Sequence, residues 1–193
     1  KAAAIGCNRL GLAGSEGMEK VMAVVECNNC FVDGIQAIAG CTFGNNALIY
    51  RDLGKTAVTF YRRGEKTGLR LRLLDFQVGQ DEAERAEAER LFDKAVKQRE
   101  ELTEKEDRRF TELWQKGSRT LIDQPDEEVF QIEEMDVEEV SYAPIFESAT
   151  CSVCGEDVME TRARLRDGEP VCLACCGEGH WLVHGAGIVF SSG

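Results

Sequence analysis

Four cysteines near the end of the chain leave it little freedom there. Cys151-x-x-Cys154 and Cys172-x-x-Cys175 stand with 17 residues between them. Two Cys-x-x-Cys pairs at that separation match the four-thiolate zinc pattern, in which each pair forms a knuckle around a tetrahedral ion. A segment this small buries too little apolar surface to fold alone, and metal binding supplies the missing free energy. Gly155 gives the first knuckle its turn. Thr161 to Leu165 and Pro170-Val171, joined at Asp167-Gly168, predict a hairpin that presents the second pair. Cys176 adjoins that pair, but Cys175 fits the spacing better. The expected ligands are therefore Cys151, Cys154, Cys172 and Cys175, holding one structural zinc.

The remaining cysteines bear on the compartment. There are nine in 193 residues, an odd number, grouped as Cys27/Cys30/Cys41 and Cys151–Cys176 with Cys7 alone. A secreted disulfide scaffold is shorter and spreads its cysteines. Grouping reads as metal or thiol chemistry in a reducing cytoplasm. The formal charge is -12, from 23 basic and 35 acidic residues. That disfavours nucleic acid, because phosphate neutralisation needs clustered Lys and Arg. Arg62, Arg63, Lys66, Arg70 and Arg72 form a local basic patch, expected as a solvated hairpin face. No apolar run reaches the roughly 18 residues of a membrane helix, so no membrane contact is expected. The opening K-A-A-A-I-G-C lacks a methionine and does not resemble a secretory signal.

Taken in order, residues 1–14 read as the middle and end of a helix. Ala3, Ala4, Cys7, Leu10 and Gly11 share a face, and Gly11, Gly14 and Gly17 mark the end. Val21 to Glu26 is an apolar β-branched run, a buried strand. Thr56 to Tyr61 is a second strand, and Leu69 to Leu74 alternates apolar and basic residues as a half-exposed third. Asp81 to Lys116 is rich in Glu, Ala, Arg and Lys, with capping-box spacing at Asp81 and Glu84. Ala88, Leu91, Phe92, Ala95 and Leu102 form an apolar stripe that resumes at Phe110, Leu113 and Trp114. One helix of that length spans roughly 50 Å. It either breaks near Thr103 or projects and packs on another chain. The fold class is α+β. An α+β core with a long helix covers residues 1–122, and an acidic connector covers 123–144, where Val129 to Ile132 offers one strand. The zinc-finger module and a glycine-rich tail cover 145–193. In that tail, His180 and His184 stand at i, i+4, a metal-binding face if the segment is helical, though packing is the plainer reading.

The other dense stretch is Cys27 to Asn46. On a helix from Cys30 to Gly40, the residues Cys30, Gly34, Ala37 and Cys41 share one stripe, while Phe31, Ile35 and Ile38 face the core. Cys30 and Cys41 are then expected to line one pocket, with Cys27 outside it. Free cysteines also serve as small buried hydrophobes. A Cys-x-x-Cys pair opening a helix suits redox sensing too, although a thioredoxin-like context is missing.

These motifs together resemble a known family. C-x-x-D-G-I-Q-x-x-x-G-C-T-x-G-N, then D-L-G-K-T-A-V-T-F, then the R-L-R strand, then the Cys151–Cys175 segment, resemble the FmdE family of formylmethanofuran dehydrogenase proteins. The likeness covers residues 1–76 and 140–176. It implies an α+β core, an auxiliary treble-clef zinc finger, a homodimer, a link to methanogenesis, and a polar, metal-binding core pocket. Carried onto this chain, the pocket residues are Cys30, Asp33, Gln36, Cys41 and Thr42, and Lys55 is a looser match to the same pattern. The family places a His-Gly-His and then a Cys-Pro-Gly segment before the first helix, and this sequence begins after that point. A second metal in the core would then need ligands from elsewhere.

Two functions of different class follow. The first is an enzyme, or an accessory to one, in one-carbon or redox metabolism, with Cys30 and Cys41 as thiolate ligands of a second metal. The second is a dimeric module without turnover, whose zinc finger docks a protein partner.

Overall fold

The structure, a computed structural model, describes residues 1–11, 20–75, 78 and 81–192. Helix α1 (Ala2–Arg9) buries Ala2, Ala3, Ile5, Gly6 and Cys7. Gly6 lets it approach the sheet: a Cβ there would lie 2.3 Å from the Phe60 ring. Ala4 is exposed, so the inner face is turned by one residue from the expected one. Gly14 and Gly17 lie outside the described residues.

Strand β1 (Val21–Val25) is buried throughout. It leads into α2 (Cys30–Ala39) and then β2 (Leu48–Tyr50). The two strands pair in parallel, with Val25 opposite Tyr50, so β1-α2-β2 is a crossover unit. Strands β3 (Ala57–Arg62) and β4 (Thr67–Leu73) follow as an antiparallel hairpin on the other side of β1. The sheet is completed far along the chain by β5 (Phe130–Asp136), antiparallel to β4 over seven residue pairs. Its order is β2-β1-β3-β4-β5. The core sheet thus reaches into the segment expected as a connector. Phe130 and Val129, at its start, belong to the main core.

The expected long helix divides. Helix α3 (Glu82–Phe92) runs into a π-helical turn at Asp93–Lys97, and α4 (Glu104–Asp123) starts afresh. Thr103 caps α4: its hydroxyl accepts from the Glu106 N–H, while the Glu106 carboxylate accepts from the Thr103 N–H at 3.0 Å. The two helices fold onto each other, burying Ala88, Leu91 and Leu113. Trp114 stacks edge-on with Phe92 and Phe110 at 5.9 and 5.7 Å. The stripe that suggested a seam with another chain is therefore covered largely by its own second half. After α4 comes a single helical turn, α5 (Asp126–Val129).

The basic patch is only partly a solvated face: Arg62 and Lys66 are exposed, while Arg63, Arg70 and Arg72 are half-buried. Arg70 is drawn into an ion pair with the buried Glu26 at 2.6 Å. Arg62 donates to the carbonyls of Leu10 and Gly11 at 2.9 and 3.1 Å. Arg63 donates to the Val140 carbonyl. Backbone carbonyls and a carboxylate engage three of the five cations, and of these acceptors the buried Glu26 needs its partner most, being drawn out of water.

The C-terminal part carries three short hairpins: β6 (Ser148–Thr150) with β7 (Asp157–Met159), β8 (Ala163–Arg166) with β9 (Glu169–Cys172), and β10 (His180–His184) with β11 (Gly187–Ser191). Helix α6 (Leu173–Cys176) follows β9 directly. Among the described residues no helix is long and apolar enough to cross a membrane.

Candidate functional site

The first site is the sulfur cluster. The Sγ atoms of Cys151, Cys154, Cys172 and Cys175 all lie within 4.8 Å of one another. Tetrahedral zinc at ordinary Zn–S distances needs sulfurs about 3.8 Å apart, so the cluster closes around the ion with little movement. The β8–β9 hairpin turns at Asp167 and Gly168, both at positive φ (53° and 87°), as a two-residue primed turn requires. It delivers Cys172 to the N-cap of α6, where its sulfur accepts from the Cys175 N–H at 3.4 Å. Knuckle, hairpin and short helix follow in treble-clef order. The Cys151 thiol is pulled down to about 6, chiefly by the backbone N–H of Cys154 and then that of Cys172. The Cys175 thiol is pushed up to about 12, chiefly by the adjoining Cys172 sulfur. Four sulfurs crowded this closely repel one another as thiolates, and a dication bound among them relieves that repulsion.

The core residues are placed differently from expectation. Helix α2 buries Val32, Ile35 and Ala39, while Ile38 is 59% exposed. The sheet takes the smaller Ala39, which lets the helix end lie close to the strands. Gly40 then ends α2 in the left-handed conformation (φ 68°), so Cys41 leaves the helical stripe. It is fully buried, with its sulfur 3.5 Å from the Val21 carbonyl. Burial pushes that thiol up to about 12. Cys30 is exposed at the opposite end of α2. The ten residues of α2 rise about 15 Å, so Cys30 and Cys41, at its two ends, do not line one pocket. Thr42 stays with Cys41, where its N–H donates to Asn45 Oδ1 at 2.9 Å. Gln36 is half-buried near the same end, and Asp33 is exposed one turn from Cys30. Cys27 is buried where β1 runs into α2, and its thiol donates to Asn29 Oδ1 at 3.5 Å. Burial also raises its pKa.

The structure brings together a set that sequence reasoning missed. Parallel β1 and β2 end at one edge of the sheet. Beyond β1 the chain runs Glu26-Cys27-Asn28-Asn29 into the N-terminus of α2; beyond β2 it runs from Arg51 to Lys55. Open α/β sheets take ligands outside the carboxyl ends of parallel strands, and a helix N-terminus adds free amides there. The exposed ground between these two chain segments, here termed the crevice, carries Asn28, Cys30, Asp52 and Lys55. Asn29 caps α2 by accepting from the Phe31 N–H at 3.0 Å. Tyr50 O–H donates to Asp52 Oδ1 at 2.7 Å, and the Ile188 N–H donates to Oδ2 at 2.9 Å. The Ile188 donor first, then Tyr50, holds the Asp52 carboxyl below its usual range. The Tyr50–Asp52 hydrogen bond in turn pushes Tyr50 up to about 12. Lys55 and Cys30 stand exposed beside these groups in sequence, at the two arms of the crevice. Spotting Asp52 required knowing that β1 and β2 are parallel neighbours.

His180 and His184 lie on strand β10, not on a helix. Four residues of extended chain separate them by roughly 13 Å, too far to share one ion. Among the described residues the four-cysteine cluster is the only grouping of metal-ligating side chains.

A zinc finger joined to an α+β core is the class that this geometry defines. The family described as "FmdE, Molybdenum formylmethanofuran dehydrogenase operon" matches residues 1–131, and "Prokaryotic dksA/traR C4-type zinc finger" matches 144–178. The chain belongs to the FmdE family. It is 42% identical over 171 residues to a "Probable S-adenosyl-L-methionine-binding protein" of Archaeoglobus fulgidus. That alignment covers 89% of this chain and 44% of the relative, so the chain spans less than half of that protein's length. Among solved structures it is similar to a tungsten formylmethanofuran dehydrogenase FmdE-like protein from Syntrophus aciditrophicus. The TM-score is 0.49 at 22% identity, covering 91% of this chain and 80% of that one.

Proposed function

We propose that this is a cytoplasmic protein of one-carbon metabolism that binds S-adenosyl-L-methionine, or a compound sharing its adenosyl part, in the crevice at the ends of β1 and β2. The observation that carries the reading is the meeting of two parallel strand ends, the N-terminus of α2 and the Asp52 carboxylate at one edge. An acidic residue past the second strand is the usual acceptor for a ribose hydroxyl in such crevices. The relative named for S-adenosyl-L-methionine aligns with 89% of this chain, which supports the ligand. Exposed Cys30, at the mouth of the crevice, is the residue with the chemistry for a transfer or redox step, or for a second metal with outside ligands. The structural zinc holds the C-terminal module together.

Calorimetric titration of the zinc-loaded chain with S-adenosyl-L-methionine tests this. Saturable binding, weakened about tenfold or more in Asp52→Ala, is expected from loss of a charged hydrogen-bond acceptor. No saturable heat up to about 1 mM ligand overturns the reading.

The second reading is a dimeric module whose zinc finger docks a protein. Leu165 and Val153, 79% and 60% exposed on the finger, favour it. It predicts a dimer mass by light scattering and no small-molecule binding.

A further inference from the structure

The hairpin β10–β11 reaches from the zinc module to the crevice, and three contacts hold it there. The His184 carbonyl accepts from Asn28 Nδ2. The Ile188 N–H donates to Asp52 Oδ2 at 2.9 Å. Gly187 is buried at φ +99°, so close that a Cβ would lie 2.3 Å from Asp52 Oδ2. The hairpin tip is shaped for this approach, since the Ala186 N–H donates back to His184 Nδ1 at 3.1 Å. Its apolar anchorage is slight: Leu182 and Val189, paired on one face, are half-buried, and the other face is open. Trp181, Val183, Ile188 and Phe190 are 70, 53, 42 and 57% exposed, and Trp181 stacks on Phe190 at 5.1 Å rather than on the core. A segment attached by a few polar contacts, with its large side chains in water, opens readily.

The partners of those contacts are crevice residues. We propose that the crevice takes a nucleoside by its ribose diol on Asp52, and that hairpin β10–β11 holds the same carboxylate closed until the ligand displaces it. This deepens the ligand reading above and rests on it. A vicinal diol presents two O–H donors to one carboxylate. The Ile188 N–H supplies one such donor in this structure, and the Tyr50 hydroxyl occupies the other oxygen at 2.7 Å. The backbone amide is therefore a tethered stand-in for a ligand hydroxyl. Removing it costs the protein nothing in unsatisfied charge, because the incoming diol satisfies the same oxygen. Asn28, freed from the His184 carbonyl, faces the ligand side of the α2 N-terminus as a further amide donor.

The test uses the full zinc-loaded chain, with hydrogen exchange at the Ile188 amide as the readout of closure and calorimetry as the readout of affinity. The probes are S-adenosyl-L-methionine, adenosine and 2′-deoxyadenosine. Gly187→Ala places a methyl against Asp52 and should open the hairpin. It is expected to speed Ile188 exchange and to tighten S-adenosyl-L-methionine binding about three- to tenfold. In the wild type the same ligand should speed Ile188 exchange, and 2′-deoxyadenosine should bind about tenfold more weakly than adenosine. If Ile188 exchange in the wild type is unchanged or slowed by bound ligand, the hairpin is not displaced and the proposal is overturned, whatever Gly187→Ala does to folding. Equal affinity in wild type and an opened Gly187→Ala overturns the gate while the crevice reading stands. Equal binding of adenosine and its 2′-deoxy form overturns the diol contact. Absence of binding by every probe overturns both readings together.

Discussion

Glu26 stands one residue past β1, and Arg70 grips it with two nitrogens, at 2.6 and 2.9 Å. A further Arg70 nitrogen reaches Glu133 at 3.0 Å, so the trio ties β1, β4 and β5 together across the sheet. The Arg70 hydrogen bond holds the Glu26 carboxyl below its ordinary 4.5, against the opposing effect of burial. A depressed carboxylate stabilises the fold fully above its unfolded value and loses that contribution as pH falls through the folded one. The loss therefore begins near pH 4.5 and deepens below it. Glu26→Gln leaves Arg70 still paired with Glu133 and should cost about 1.5 kcal/mol at neutral pH, the low end for a hydrogen bond to a charged group. Urea midpoints from pH 3 to 7 check this: the variant should be weaker at pH 7 and flatter in acid. At this scale the zinc ligands were legible, because a four-coordinate ion leaves its spacing in the sequence. The pairing of Cys30 with Cys41 was not, because helical periodicity stops at Gly40 and Cys41 lies beyond it. Asp52 was silent, since nothing local marks which strands are neighbours.

The elements show the same division between local and non-local signals. Strands β1, β3 and β4 were readable from β-branched runs and alternation. Helix α4 had its own start written as Thr103-x-x-Glu106, the same capping pattern seen at Asp81-x-x-Glu84. The break near Thr103, one of the two alternatives that the length of the stretch left open, is the one the fold takes. Once the helices fold back, Glu84 meets Lys116 at 2.7 Å and Glu87 meets Arg109 at 2.9 Å, so charges that look solvated in sequence pair across the hairpin. The zinc module is the element most dependent on one interaction. Its exposed strands bury little beyond Cys151 and Val171. Cys154→Ser should release the ion and loosen residues 145–178, while amide protection in the core sheet persists. Elemental analysis together with hydrogen exchange measures both halves. Retained zinc would show that the ligand set is wrong.

At the scale of the molecule, one chain crosses itself twice. Strand β5 returns to the edge of a sheet begun more than 100 residues earlier, and β10–β11 returns to the crevice that the first crossover unit builds. Both returns are long-range pairings, which composition and periodicity do not encode. They also join the zinc finger to the α+β core: the hairpin that follows the finger touches Asn28 and Asp52 at the ends of β1 and β2. The central claim is that small-molecule recognition occurs there and not at the metal. Amide-resolved magnetic resonance of the zinc-loaded chain, titrated with S-adenosyl-L-methionine, tests it most directly. Saturating shifts are predicted at residues 26–30, 50–55 and 184–188, with the amides of residues 151–175 unmoved. Shifts confined to the zinc module, or scattered over the surface without saturation, would contradict it.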